Sequence, residues 1–100
     1  MKHLLSLPLV IALLANTPAL ADEALVAKNK CTTCHAMDKK MMGPTWKDIA
    51  ARHKGQASAQ ASLVQAIVSG SKGKYGKIPM PPQPKAKVDA EAIAKWIAGL

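Results

Sequence analysis

Within this chain, Cys31-Thr32-Thr33-Cys34-His35 is the segment whose residue types and spacing can do chemistry. Residues three and four apart on a helical turn share one face. Cys31 and Cys34 can therefore reach two vinyl groups of one flat ring, while His35 points its imidazole at the ring centre. C-x-x-C-H is the pattern through which a c-type haem is attached by two thioethers. It makes the cysteines covalent anchors and His35 an iron ligand. Two other chemistries use similar residues. A Cys31–Cys34 disulfide would resemble a redox dithiol, but those motifs open a helix after a strand, and strand patterns here are weak. A zinc site needs two further Cys or His ligands, and in the body of the chain only His53 remains.

One histidine leaves the opposite face of an iron open. The candidates are His53, Met37, Met41, Met42 and Met80. Met37, Met41 and Met42 follow His35 too closely to cross to the other face, and suit a wall or core position better. Met80 lies far along the chain, inside Ile78-Pro79-Met80-Pro81-Pro82. Proline fixes φ and pushes the preceding residue to extended geometry, so this segment forms a stiff strap. A strap of that kind can hold a thioether toward the iron at little entropic cost, and Met80 is the expected second axial ligand.

These groups need elements to position them. Met1, Lys2 and His3 precede an apolar run to Ala15, and Ala19-Leu20-Ala21 has the small residues of a cleavage site. That layout predicts a secretory signal peptide over residues 1–21, too short in its apolar part for the roughly 20 residues that span a bilayer. Its removal leaves residues 22–100 as one domain, with both cysteines in an oxidising compartment. The remaining signals are helical. Asp22 to Asn29 is Ala-rich with acids at its start. Thr45 with Asp48 reads as a capping box, followed by Trp46, Ile49, Ala50 and His53 on one face. Ser58 reads as the next cap, ahead of an apolar stripe of Leu63, Val64, Ile67 and Val68 that ends at Gly70. A final helix starts near Asp89 and buries Ile93, Trp96 and Ile97. Between the last two helices, residues 71–87 hold two glycines and four prolines, which exclude a long helix or an interior strand. The expected fold is all-α: about four helices wrapped around one covalently bound haem. The chain has 100 residues, 3% aromatics and no Phe, so its core lacks large rings that a bound ligand would supply.

With these residues in place, the chain resembles the small bacterial class I cytochromes c of the c-551/c-552 type. The likeness covers nearly all of residues 22–100. It is carried by Cys31 to His35, Met42-Gly43-Pro44, Ile78-Pro79-Met80-Pro81-Pro82-Gln83 and Ala94-Lys95-Trp96. The resemblance implies that the Pro44 carbonyl accepts from His35 Nδ1–H. It implies that Gln83 donates to the Met80 sulfur and that Tyr75 reaches a haem propionate. Three positions depart from the family pattern. Ala66 stands where some members carry a propionate-pairing Arg, Lys30 stands where a Gly is common, and His53 occupies a usually aromatic position, which favours packing over ligation.

With both axial positions filled, the expected function is one-electron transfer rather than catalysis, in a soluble periplasmic carrier. The soft thioether favours Fe(II) and raises the potential. A net charge of +8, with Lys39, Lys40, Lys72, Lys74 and Lys77 near the haem-facing segments, points to acidic redox-partner proteins, such as a respiratory complex, oxidase or nitrite reductase. Nucleic acid is not an expected partner, nor is stable membrane insertion, and a monomer is expected. The alternatives are a haem subunit of a larger complex and a gas-sensing haem domain in which Met80 is displaced.

Overall fold

The computed structural model describes residues 18–100, with side chains from residue 23 onward. The leader reading over residues 1–21 lies mostly outside this range. Four α-helices make up the described part: α1 (Pro18–Lys28), α2 (Trp46–His53), α3 (Ala59–Ser69) and α4 (Ala90–Ala98). Short 3-10 turns cover Cys31–Thr33 and Pro84–Ala86. Among the described residues the β-structure is a single antiparallel bridge between Ser71 and Met80.

Local chemistry accounts for most of these boundaries. Thr45 Oγ1 accepts from the Asp48 N–H at 3.0 Å and satisfies one of the donors a helix start leaves unpaired. The four α2 residues expected on one face, Trp46, Ile49, Ala50 and His53, are all buried. Gly70 closes α3 with φ of 80°. Two expectations need correcting. Ser58 stands before α3, but its side chain caps nothing. The first turn of α1 carries no acid, because the helix already runs from Pro18, which places Asp22 and Glu23 a turn further on.

The core is built on α4. Ala90 and Ala94 are fully buried and let neighbouring backbones approach closely, while Ile93, Trp96 and Ile97 reach into the interior. Leu63 and Ile67 meet them from α3, Trp46 and Ile49 from α2, and Val26 from α1. Trp96 packs edge-on against Trp46, with ring centroids 5.6 Å apart, a favourable geometry for aromatic quadrupoles. Asn29, at the end of α1, bonds the Leu25 carbonyl at 2.8 Å and the Asp89 carboxylate at 3.0 Å, which ties α1 to the start of α4.

Residues 71–87 are pinned rather than free. The Gln83 N–H donates to the Ile67 carbonyl at 2.9 Å, so the loop lies along α3 and frames one side of a cleft.

Candidate functional site

The cleft contains about 1120 Å³ of empty space, part of it open to solvent. Its wall includes Cys31, Cys34, His35 and Met80, together with Leu63, Ile67, Ile93 and Ile97 from the core. The aliphatic core thus faces a cavity that the chain's own side chains do not fill.

The cysteine segment follows directly from the end of α1. Lys30 has φ of 60° and ψ of 22°, a left-handed conformation that disfavours a residue with a Cβ. A glycine would adopt this conformation without that cost, which is a physical reason for the glycine that the resemblance expects there. The turn reverses direction and enters the 3-10 segment. The Cys34 and His35 N–H groups then both donate to the Cys31 carbonyl, at 3.1 and 3.0 Å. One turn therefore carries both thiols and the imidazole on the cleft wall, as their spacing predicts. The two thiols are not joined to each other. Burial raises the Cys31 thiol above its ordinary value, opposed by a backbone hydrogen bond and reinforced by Cys34 beside it. A thiol–disulfide exchanger needs the opposite, a depressed thiol.

His35 is 7% exposed. Its Nδ1 donates to the Pro44 carbonyl at 2.8 Å, as the resemblance implies. Since a carbonyl only accepts, this bond fixes the tautomer and leaves Nε2 with the lone pair. Trp46 stacks on the ring with centroids 4.6 Å apart. Gly43 lies so close that a Cβ there would stand 2.5 Å from His35 Cε1. The Gly43 N–H also donates to the Cys34 carbonyl at 2.9 Å, which closes the loop back on the motif.

Met80 is held at its backbone. Its N–H donates to the Ser71 carbonyl at 2.8 Å and its carbonyl accepts from the Ser71 N–H at 3.1 Å. A Cβ on Gly70 would meet the Met80 oxygen at 2.6 Å. The strap is thus clamped to the end of α3 by a close backbone approach that only glycine allows. The other methionines divide. Met37 packs against the core and Met42 lines the cleft, whereas Met41 is exposed and does neither.

One neighbouring contact differs from what the resemblance implies. Gln83 lines the cleft, but its Nε2 donates to the Pro81 carbonyl at 3.1 Å instead of the Met80 sulfur. Tyr75 also lines the cleft, and its hydroxyl is hydrogen-bonded to His53 Nε2. Ala66 forms part of the wall and brings no charge to it. Sequence reasoning does not single out Gly43, Gly70 or Trp46 as site residues, and it does not pair His53 with Tyr75. A glycine placed directly before Pro44, or directly after the α3 stripe, is the signal that could have found the first two.

Among the described residues, no group of three or more His, Cys, Asp and Glu side chains is placed to hold a metal ion by itself, so the zinc reading has no ligand set. The residues that are present do fit an iron porphyrin. Two thiols, an oriented imidazole and a methionine clamped at its backbone line one apolar cleft, and the Gly43 approach leaves the imidazole undisturbed.

Fold and site together define a small helical domain built around one apolar cleft, with a Cys-x-x-Cys-His turn and a strap methionine on its wall. The comparisons give that class its family. The cytochrome c family model matches residues 23–100. Cytochrome c-551 of Pseudomonas aeruginosa is 47% identical over 95 residues, covering 94% of this chain and 91% of the relative. Cytochrome c-552 of Nitrosomonas europaea is 43% identical over 90 residues, covering 89% and 87%. The crystal structure of wild-type Nitrosomonas europaea cytochrome c552 superposes with a TM-score of 0.75 at 42% identity, covering 78% of this chain and 98% of that one. The chain belongs to the cytochrome c family. It is a small electron-transport cytochrome carrying one covalently bound haem c.

Proposed function

We propose that Cys31 and Cys34 are the thioether anchors and that His35 Nε2 and Met80 Sδ are the two axial ligands. Residues 22–100 are then one monohaem domain, exported to the periplasm by a leader over residues 1–21. The observation that carries this reading is the convergence of Cys31, Cys34, His35 and Met80 on the wall of one apolar cleft. The haem supplies an iron that alternates between Fe(II) and Fe(III). The residues around it do the rest. Pro44 and Trp46 fix the imidazole plane, and the Ser71 bridge holds the thioether side in place. Both ends of the axial pair are held by backbone contacts, so little rearranges when the charge changes. With no open position, the site transforms no substrate and acts as a carrier.

The partners on this reading are acidic redox proteins. Lys39, Lys40, Lys72, Lys74 and Lys77 are all exposed, and Lys74 lies on the cleft wall itself. Exposed Met42 and Ile78 also line the cleft and provide apolar contact area beside them. No helix among the described residues is long and apolar enough to cross a membrane.

Purified native protein tests the proposal. Its mass should exceed that of residues 22–100 by one haem. The ferric form should show the weak red band of an iron–methionine bond, and the ferrous form should not bind CO at neutral pH. Oxidation by a purified terminal oxidase, compared with a nitrite reductase, identifies the acceptor. A colourless protein, or one that binds CO rapidly, overturns the assignment.

A further inference from the structure

His53 is 5% exposed, and the fate of its two ring nitrogens differs. Nε2 is hydrogen-bonded to the Tyr75 hydroxyl. Nδ1 is buried with no hydrogen-bond partner. The bond can be filled in two ways. If Tyr75 donates to Nε2, the neutral ring carries its hydrogen on Nδ1, and a buried N–H is left unpaired. If Nε2–H donates to Tyr75 Oη, Nδ1 keeps only a bare lone pair. Orphaned buried N–H donors are the rarer and costlier kind, so the second arrangement is favoured. It has a consequence at Tyr75. A hydroxyl can accept one hydrogen bond and still donate another. The phenol hydrogen is then free for an acceptor in the cleft that Tyr75 lines.

The surroundings select an anion as that acceptor. The Arg52 guanidinium lies 5.5 Å from the Tyr75 ring centre and the Lys74 ammonium 5.9 Å from it. Arg52 also donates to the Lys74 carbonyl at 3.2 Å, which keeps both cations against the ring. Lys74 lines the same cleft, while Ala66 supplies no charge. Burial first, then the Lys74 ammonium, holds the imidazole below its ordinary value, with the smaller effect of the Gln56 side chain pulling the other way. Both larger effects oppose a charge on the ring, in keeping with the donor arrangement.

We propose that His53 is a positioning residue for Tyr75: its Nε2–H donates to the phenol oxygen and so directs the Tyr75 hydroxyl hydrogen to a carboxylate of the bound haem. The inference rests on the haem-carrier reading above. Without this donor the carboxylate's negative charge is less compensated, which favours Fe(III) and lowers the potential.

Two measurements on the haem-loaded protein test it. Nitrogen-resolved NMR of the diamagnetic ferrous form should show the His53 hydrogen on Nε2, and finding it on Nδ1 overturns the proposal. Potentials at one neutral pH should fall in both His53→Phe and Tyr75→Phe, and the double variant should fall no further than the larger single change. His53→Gln keeps an N–H donor near the same place and should retain the wild-type potential. Additive losses, or a His53→Gln that behaves like His53→Phe, indicate a packing role only and overturn it. A wild-type protein without haem overturns the carrier reading and this inference with it. Normal redox behaviour with an Nδ1–H tautomer overturns only the inference.

Discussion

The imidazole of His35 and the carbonyl of Pro44 are joined by a 2.8 Å hydrogen bond that fixes which ring nitrogen keeps its lone pair. Gly43 makes that bond possible. A Cβ at this position would stand 2.5 Å from His35 Cε1 and 2.8 Å from Nδ1, with the Cys34 carbonyl at 3.1 Å behind it. Neither neighbour can yield freely, because Trp46 stacks on the ring and the turn is hydrogen-bonded at Cys34.

Gly43→Ala should therefore destabilise the protein by about 1–3 kcal/mol, the usual range for an overpacked site. Thermal unfolding of the ferrous form measures this. Because the displaced group is the imidazole proposed as an axial ligand, the visible spectrum should change as well. An unchanged Tm and spectrum would show that the ring is not held by this approach.

Met80→Ala removes the thioether but leaves both cysteines in place. The haem should stay attached, the ferrous form should bind CO, and the potential should fall. Axial ligation spans roughly 0.8 V across haem proteins, so a drop on the order of 100 mV or more is expected. Spectroelectrochemistry reads the potential and CO titration reads the open position. Wild-type values for both would exclude Met80 as a ligand.

Much of this site is legible in the sequence because its parts are local. The cysteine spacing sets the geometry of a single turn. The prolines around Met80 stiffen one short strap, and the Thr45–Asp48 cap and α2 face follow from helical periodicity. What escapes is tertiary. The need for glycine at positions 43 and 70 arises from groups brought there by the fold, a ring eight residues away and the strap carbonyl of Met80. The Gln83 amide turns to a carbonyl two residues back instead of the thioether, a choice between local partners that spacing does not decide. Likewise, His53 reads as an aromatic replacement on a buried face, and only its approach to Tyr75, 22 residues on, reveals a second role.

Asp89 shows how electrostatics secure the frame of the site. Its carboxyl is held below the usual range, first by the Asn29 side-chain hydrogen bond and then by the Lys28 ammonium, with desolvation opposing both. A carboxylate depressed in the folded state stabilises the fold above its unfolded value of about 3.9, and that contribution is lost as pH falls through the folded value. Asp89→Asn should therefore lower the Tm at neutral pH. The difference from wild type should shrink as the solution is acidified below about pH 4. The Lys28 pair at 3.5 Å is largely solvent-exposed on the lysine side, so salt should reduce the effect only slightly compared with loss of the Asn29 bond. A Tm difference that stays constant across this pH range would mean that the carboxylate charge does not contribute.

The exposed lysines near the cleft make a kinetic prediction. Charges on two approaching proteins are screened over a Debye length of about 30 Å at 0.01 M salt and about 8 Å at 0.15 M. If acidic partners dock on this face, the bimolecular electron-transfer rate should fall steeply across that range, by roughly 10-fold or more. Lys77 is a suitable probe, because it is exposed beside the strap and forms no ion pair in the structure. Lys77→Glu should slow the reaction at low salt and flatten its salt dependence, while leaving the potential near that of wild type. Lys47 is the control. It already pairs with Asp38 at 2.6 Å, so its positive charge is partly compensated before any partner arrives. Lys47→Gln should change the low-salt rate much less than the charge-matched Lys77→Gln, as read by stopped-flow reduction of an acidic partner. Equal slowing in the two variants would mean that the rate responds to net charge alone and not to a docking face beside the cleft.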